Sequence, residues 1–246
     1  MGYLFKQVNR LVGKVVHQYS LLEQGDTILV ALSGGVDSML TLWFLKHWLR
    51  KAPISYRLLP VHLDMGFSHS LWPGIKEYLD CMEVDYYFEQ TDFGIVAHSD
   101  LNRGKSPCFL CSLWRRKRLF ELADRFGCNK IALGHNLDDL IETFFMNMCF
   151  SGELSTMVPS QEMFKGAITI IRPLALVEKK KISALARQIK LPLQDNPCPS
   201  VRNKYGRRVL VRDFLSTLYS KDSKIKGNIV HALRNIKLEY MLKYYN

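Results

Sequence analysis

The chain of 246 residues is long enough to bury a core of its own, and its composition, 48% hydrophobic and 23% charged, is that of an ordinary globular protein. Its longest apolar runs fall short of the roughly 18 residues that a membrane span needs, and its N-terminus lacks the pattern of a signal peptide, so the sequence predicts a cytoplasmic protein with no membrane partner. The net charge is +11, and residues 201–246 hold 11 Lys and Arg against 3 Asp and Glu, which suits a polyanionic partner.

Apolar residues at helical spacing predict an opening helix that ends near "EQGD". Strands and helices then alternate. The predicted elements are a strand over 27–32, a helix over 39–49, a strand over 56–64, a helix over 72–82, a strand over 85–91, a helix over 112–126, a strand over 130–135 and a helix over 137–149. This alternation predicts an α/β fold, a doubly wound parallel sheet covered on both faces.

The pattern loosens after residue 151, where the sequence predicts a strand over 167–173, a helix over 179–190, a proline-rich loop over 191–200, and helices over 208–220 and 227–244. We expect an N-terminal helix over 1–24, the α/β domain over 25–200 and a basic helical extension over 201–246. The extension has tyrosines suited to base stacking, although a solvated basic helix face explains the same charge. These are Tyr205, Tyr219, Tyr240, Tyr244 and Tyr245.

The strongest chemical signal is "SGGVDS", residues 33–38, between the strand "ILVAL" and a helix. A Gly-Gly turn of this kind directs backbone N–H groups and a helix N-terminus at a phosphate, and Asp37 stands where a carboxylate can hold Mg²⁺. The stretch is neither a Walker A loop nor a GxGxxG motif. A plain turn with Asp37 as a capping residue is the alternative.

A second polar turn, "GHNLDD", follows the predicted strand over 130–135. Gly134 permits close backbone approach, while Asp138 and Asp139 open the next helix. A match to the helix dipole alone is the alternative explanation for adjacent carboxylates there. The turn should nevertheless lie beside "SGGVDS" on the same sheet edge, so we predict Asp139 as a nucleotide or Mg²⁺ contact with Asp138 in support.

Cysteines form the third signal. Cys108 and Cys111 make a CxxC pair, and Cys198 lies in the loop "DNPCPS". The other three cysteines fall in helix or strand patterns, where small buried thiols are common. They are Cys81, Cys128 and Cys149. A structural zinc site usually needs four ligands, so three cysteines with an open fourth position fit a [4Fe-4S] cluster better, and a thioredoxin-type pair fits less well.

"SGGVDS" resembles the signature of the PP-loop ATP pyrophosphatase superfamily, and the likeness extends over about residues 24–195. It implies a HUP-type doubly wound sheet and an enzyme that splits ATP between its α and β phosphates and leaves an AMP ester on the substrate. It further implies that the pyrophosphate is cradled by Ser33, Gly34, Gly35, Asp37 and Ser38. The adenosine would be framed by Ala31 and Leu63, with Gly134 and Asp139 completing the ATP site.

The order SGGxDS, CxxC, GHxxDD and lone Cys, with "CSLWRR", "ETFFMNM" and "IRPLA", resembles the tRNA 2-thiocytidine synthetase family and its 2-thiouridine-forming relatives. The likeness implies a transferase that uses ATP and Mg²⁺ to replace a pyrimidine C2 oxygen of tRNA with sulfur. Cys108, Cys111 and Cys198 would hold three irons of a [4Fe-4S] cluster, and the fourth would carry sulfide. The chain departs from the family at Val36, where Lys is frequent, and around Cys198, which lacks a CxxC context.

The same resemblance implies tRNA and a sulfur donor, either sulfide or a cysteine desulfurase, as partners, and it is compatible with a homodimer. Arg115 follows Cys111 by four residues on a predicted helix, which places both on one face. We therefore predict Arg115 as a third catalytic residue beside Asp37 and Asp139, with Arg116 a weaker second. The run "RRKR" as a solvated basic face is the alternative reading.

Other activities remain open from the sequence. One is a cluster-free PP-loop ligase or amidating enzyme that resembles tRNA lysidine synthetase. Another is cluster-dependent removal of sulfur from thiolated bases, which would not need the ATP loop. The third is a non-catalytic RNA-binding or iron-sulfur protein, against which Asp37 and Asp139 both argue.

Overall fold

The computed structural model describes residues 2–67, 70–102, 104, 106–192, 197–202 and 206–242. The chain falls into two compact units. The first comprises Met1–Asp138 and Val158–Asn203, and the second comprises Asp139–Met157 and Lys204–Asn246. The division at residues 24 and 200 that the sequence suggests stays a prediction.

The first unit is built on a six-stranded sheet in the order β3-β2-β1-β4-β6-β5 among the described residues. The strands are β1 Thr27–Leu32, β2 Arg57–Asp64, β3 Tyr87–Gln90, β4 Lys130–Ala132, β5 Ser160–Met163 and β6 Ile168–Ile171. Every pair in the sheet is parallel except β5 with β6. Because β2, β1, β4 and β6 are adjacent and parallel, the turns that follow them leave from one edge of the sheet.

Helices of the first unit pack against this sheet, which confirms the predicted α/β class. The described helices of both units are α1 Tyr3–Gln18, α2 Val36–Leu49, α3 Trp72–Met82, α4 Phe93–His98, α5 Pro107–Arg125, α6 Leu137–Phe150, α7 Lys179–Gln188, α8 Arg207–Lys221 and α9 Ile225–Ala232. Helices α1, α2 and α7 pack together, and α2 lies on β1. Leu29 and Ile131 instead join Leu122 of α5 in a core cluster. Since Ile28 and Val30 are buried as well, β1 has apolar side chains on both faces, as an interior strand of a doubly wound sheet requires.

Three local features differ from the sequence prediction. Helix α5 begins at Pro107 instead of residue 112, because Pro107 is suited to a first helical position, and the CxxC pair therefore lies inside the helix. The short helix Phe93–His98 was not predicted. Nor was Ser160–Met163, an edge strand with a half-exposed pattern too short to give a clear period.

The second unit contains most of α6 together with α8 and α9. Glu142 of α6, whose side chain is 9% exposed, accepts hydrogen bonds from Arg212 Nε at 2.9 Å and Arg212 Nη2 at 3.1 Å. Phe145 packs on Phe214 with ring centroids 5.9 Å apart. These contacts join α6 to α8 by an aromatic pair and by an ion pair between the buried Glu142 carboxylate and the exposed Arg212 side chain.

The predicted helix over 227–244 is wrong in its second half. Helix α9 ends at Ala232, and a 3-10 turn follows at Leu238–Tyr240. None of the described residues of α9 is buried, so there is no packed apolar face to extend the helix. Within the described chain, no helix has the length and apolarity to cross a membrane.

Candidate functional site

The turn Ser33–Ser38 connects the buried strand β1 to α2. Gly34 has φ +77°, a left-handed conformation that disfavours side chains, and a Cβ there would lie 2.7 Å from Leu71 Cδ1. The Ser38 hydroxyl donates to the Gly35 carbonyl at 2.9 Å and accepts from the Ser33 amide at 3.2 Å. Gly35, with no side chain of its own, is the N-cap of α2. The turn thus presents a helix N-terminus in the arrangement that binds phosphate.

The carboxylate of Asp37, in the first turn of α2, is held by two other turns. Its Oδ1 accepts from Asn136 Nδ2 at 3.1 Å, and its Oδ2 is ion-paired with Lys179 Nζ. Asn136 follows β4, and Lys179 begins α7 after β6. Turns that follow three adjacent parallel strands therefore meet at one carboxylate.

The segment around Asn136 is fixed by further hydrogen bonds. Asn136 Oδ1 accepts from the Asp138 amide at 2.9 Å, and Asp138 Oδ2 accepts from the Lys179 amide at 2.7 Å. The Leu137 amide donates to the Val177 carbonyl at 3.0 Å. Asp138 thus joins the start of α6 to the start of α7, a positioning task that adjacent acidic residues in the sequence do not reveal. Asp139 lies in the second compact unit, and its role as a nucleotide contact stays a prediction.

Gly134 lies against the start of α2. A Cβ on Gly134 would lie 2.7 Å from the Ser38 amide nitrogen and 2.8 Å from the Asp37 carbonyl carbon. Backbone atoms cannot move aside as a flexible side chain does, so this position requires glycine. The sequence predicted this close approach without naming the atoms.

Ala31 and Leu63, the residues predicted to frame adenosine, both pack in the first unit's core cluster. Their neighbour His62 was missed. It is buried, its Nδ1 lies 2.9 Å from the Leu32 carbonyl oxygen, and burial lowers the pKa of its imidazole. Its ring stacks 6.0 Å from Trp72. A neutral imidazole that donates to Leu32 therefore joins the carboxyl ends of β1 and β2.

Arg172 directly follows β6 and is buried, which the sequence did not indicate. Its guanidinium donates to the Val158 carbonyl at 2.6 Å and to His135 Nδ1 at 3.3 Å. Burial, and then the nearby charge of Arg116, lower the pKa of Arg172 to about 10. The two guanidinium groups make this part of the first unit electropositive.

The cysteines of the CxxC pair lie in the first turns of α5, Cys108 exposed and Cys111 half-buried. Burial raises the pKa of Cys111, the Arg115 guanidinium lowers that pKa, and the thiols of Cys198 and Cys108 raise it again. These three side chains are thus close enough to Cys111 to act on its charge, Cys198 from 87 residues further along the chain. Among the described residues, no three His, Cys, Asp or Glu side chains converge closely enough to hold a single metal ion.

Cys111 is placed at the same sheet edge as the phosphate-type turn. Its Sγ lies 3.7 Å from Met65 Sδ, and Met65 is the first residue after β2. The segment of Cys198 is held by Ser200, whose hydroxyl lies 2.8 Å from His98 Nε2 on the unpredicted helix α4. An open cavity of about 550 Å³ adjoins this region, lined by Gly66, Glu89, Gln90, Thr91, Asp92, Phe93 and Ile95.

Of the three remaining cysteines, one is buried as expected and two are exposed. Cys128 is buried, and burial raises its pKa. Cys81 and Cys149 are exposed, because each lies on the outward side of an amphipathic helix whose buried residues are elsewhere.

Tyr219 and Tyr240 lie beside lysine ammonium groups, with Lys226 Nζ 4.9 Å and Lys237 Nζ 5.9 Å from the respective ring centroids. The other predicted stacking residues, Tyr205, Tyr244 and Tyr245, lie outside the described residues.

A model of the PP-loop domain matches residues 4–218 of the chain. Among curated proteins, the tRNA-cytidine(32) 2-sulfurtransferase of Geobacter sulfurreducens is 34% identical over 97% of this chain and 93% of its own length. The protein of that name from Pseudomonas syringae pv. tomato is 37% identical over 95% of this chain and 85% of its own.

Among solved structures, the U34-tRNA thiolase NcsA from Methanococcus maripaludis, determined with its [4Fe-4S] cluster, is similar with a TM-score of 0.76 and 23% identity, covering 95% of this chain and 80% of that one. The NH3-dependent NAD synthetase from Campylobacter jejuni is similar with a TM-score of 0.53 and 14% identity, covering 100% of both chains. At these identities the likeness establishes a shared fold.

Proposed function

Because the chain belongs to the PP-loop family and, within it, to the tRNA-cytidine(32) 2-sulfurtransferases, we propose that it replaces the C2 oxygen of a tRNA cytidine with sulfur in an ATP-dependent reaction. The observation that carries the proposal is the position of Cys111. Its sulfur contacts Met65, the residue after β2, while the adjacent strand β1 leads into the phosphate-type turn. A sulfur-transfer group and a nucleotide at these places would share one edge of the sheet.

On the nucleotide side, the turn Ser33–Ser38 and the N-terminus of α2 would bind the β and γ phosphates of ATP. Asp37 would hold Mg²⁺ against them, because carboxylate oxygens are the protein ligands that Mg²⁺ prefers. Gly134 leaves the room for this turn, and Asn136 orients the Asp37 carboxylate. Asp139 completes the site in our proposal.

Two displacements then account for the chemistry. The C2 oxygen of cytidine attacks the α phosphorus of ATP, the bond to the β phosphate breaks, and pyrophosphate leaves. Sulfide next attacks C2 of the adenylated base, the C2–O bond breaks, and AMP leaves with the former carbonyl oxygen. Activation is needed because a carbonyl oxygen is a poor leaving group, and cationic groups offset the charge that develops on the phosphates.

The donor set of Cys108, Cys111 and Cys198 fits a [4Fe-4S] cluster. Four thiolates on one zinc ion lie about 3.8 Å apart, given Zn–S bonds of about 2.3 Å, whereas in a cluster each cysteine binds its own iron and the sulfurs are spaced more widely. Cys108 and Cys198 both act on the charge of Cys111, yet the three thiols do not converge on one point, and this arrangement suits the wider spacing. When bound by three thiolates, such a cluster supplies an iron with an open position for exogenous sulfide.

We propose that the Arg115 guanidinium lies between the cluster and the ATP phosphates and places a positive charge near both. Its guanidinium acts on the Cys111 thiol, one helical turn away on α5. A cation in this position stabilises the thiolate form that a metal ligand must adopt. The basic second unit, with Lys226 on Tyr219 and Lys237 on Tyr240, is the surface that we propose for tRNA phosphates and bases.

The decisive experiment is anaerobic purification followed by iron and sulfide analysis. The protein is then incubated with ATP, Mg²⁺, sulfide and unmodified tRNA, and digested nucleosides are identified by mass spectrometry. We expect about four irons per chain and ATP-dependent 2-thiocytidine. A colourless preparation that still converts tRNA with ATP would favour the cluster-free ligase, and cluster-dependent loss of sulfur from thiolated tRNA without ATP would favour desulfuration. If the preparation contains no cluster and the treated tRNA contains no thionucleoside, the proposal is refuted.

A further inference from the structure

We propose that Lys179 is a phosphate-binding residue of the nucleotide site, paired with Asp37 until ATP and Mg²⁺ arrive and then transferred to the polyphosphate. The inference rests on the proposed ATP-dependent function. It adds a third turn, the one after β6, to a site that the sequence motifs confine to the turns after β1 and β4. No resemblance or motif assigned this lysine.

The backbone of Lys179 is fixed while its ammonium is accessible. The Lys179 amide donates to Asp138 Oδ2 at 2.7 Å, which ties the first residue of α7 to the first turn of α6. The side chain, 45% exposed, extends from there to the Asp37 carboxylate, which is 24% exposed. An anchored Cα with a half-exposed ammonium allows the charge to move by rotamer changes without loss of helix position.

The pairing occupies the carboxylate that Mg²⁺ would need. With Asn136 on Oδ1 and Lys179 on Oδ2, both oxygens of Asp37 have a donor. A divalent cation binds a carboxylate more strongly than an ammonium does, and Mg²⁺ enters together with the phosphates of ATP. Displaced from Asp37, the ammonium lies one ion-pair length from the N-terminus of α2, where the phosphates would bind, and it has three donors to offer them.

The neighbouring lysines differ from Lys179 in their contacts. Lys181 pairs with Glu178 at 2.6 Å along the helix, and Lys180 is exposed. The run "KKK" opens α7. Its first member is set apart by a contact that bridges 142 residues of chain. Lys180 therefore provides a matched control of the same chemistry, one residue away.

The test is isothermal titration of the full chain, in wild-type, Lys179→Met, Lys179→Arg and Lys180→Met forms, with Mg²⁺ and α,β-methylene ATP, and separately with AMP. We expect Lys179→Met to weaken the binding of the triphosphate analogue about tenfold or more, a loss of about 1.4 kcal/mol of binding free energy. The affinity for AMP should stay within about twofold of the wild-type value. Lys179→Arg should restore most of the difference, because it keeps the positive charge. Lys180→Met should bind both ligands as the wild type does.

The possible failures are distinguishable. Wild-type protein that does not bind the triphosphate analogue would refute the proposed ATP-dependent function itself. Wild-type binding that Lys179→Met leaves unchanged would refute the assignment of Lys179 alone. Equal losses of affinity for the analogue and for AMP would also refute the assignment, because they indicate that Lys179 only holds the turn in place. The thermal unfolding midpoints of all four proteins show whether a variant has a folding defect.

Discussion

Gly134 lies against the backbone of Ser38, so that a Cβ atom on Gly134 would be 2.7 Å from the Ser38 amide nitrogen. The contact joins the turn after β4 to the first turn of α2. Gly134 has no side chain, and its neighbour Asn136 can thereby reach Asp37. The position of the Asp37 carboxylate therefore depends both on its hydrogen bonds and on the lack of a side chain at Gly134.

The substitution Gly134→Ala should therefore disturb both stability and nucleotide binding. Overpacking against backbone costs about 1–3 kcal/mol of unfolding free energy, and displacement of the α2 N-terminus should weaken binding of the ATP analogue. Urea denaturation and titration calorimetry measure the two effects. Gly227→Ala on α9 is the control, since a Cβ there meets nothing within 4 Å. If Gly134→Ala behaves as Gly227→Ala does, the close packing of the two turns is not required.

Asp37→Asn should leave the fold intact and reduce ATP-dependent pyrophosphate release. The amide has nearly the same shape but has no charge for Mg²⁺ or Lys179, and loss of one charge-stabilising group lowers rates by about 10²–10³. Pyrophosphate release with tRNA, measured over a range of Mg²⁺ concentrations, tests this. Asp80→Asn removes an exposed carboxylate that pairs with Lys76 on α3 and should leave the rate unchanged. A rate for Asp37→Asn within about threefold of wild type would count against Asp37 as the Mg²⁺ residue.

Substitution of any one of Cys108, Cys111 and Cys198 by serine should lower bound iron and abolish thiolation, because each thiolate would hold a different iron. Anaerobic iron analysis and the charge-transfer absorption of the cluster give readouts that do not depend on activity. Cys81→Ser and Cys149→Ser change exposed thiols elsewhere in the chain and should retain full iron. Full iron content in Cys198→Ser would remove that residue from the ligand set.

The pH dependence of Cys111 alkylation in the metal-free protein should reveal Arg115. Burial raises the pKa of this thiol, so the reactive thiolate forms only above its ordinary pH range, and the Arg115 guanidinium partly opposes the shift. Arg115→Gln should move the midpoint of the alkylation profile to higher pH. Arg116→Gln should not, because its charge acts on Arg172 instead. Peptide mass spectrometry across a pH series measures the midpoint, which is insensitive to small changes in the access of the reagent to Cys111. Coincident midpoints for the two variants would contradict the assigned effect of Arg115 on Cys111.

The sequence was most informative where local pattern and chemistry coincide. The buried strand "TILVAL" and the turn "SGGVDS" are contiguous, so the strand, the glycine turn and the start of α2 were all predictable. The start of α5 was harder to predict, because the exposed first turns of this helix have a weak hydrophobic periodicity. Helix α4 and strand β5 were missed because each is too short to show a period of its own.

The sequence by itself determined the α/β class, the family and the residue types available for phosphate, magnesium and sulfur chemistry, because each depends on short contiguous motifs. The tertiary structure alone decided which distant residues share a site. Lys179 reaches Asp37, Cys198 acts on Cys111, and Ser200 is held by His98. Such pairs arise because parallel strands bring the turns after them to one edge of the sheet, whatever their separation along the chain.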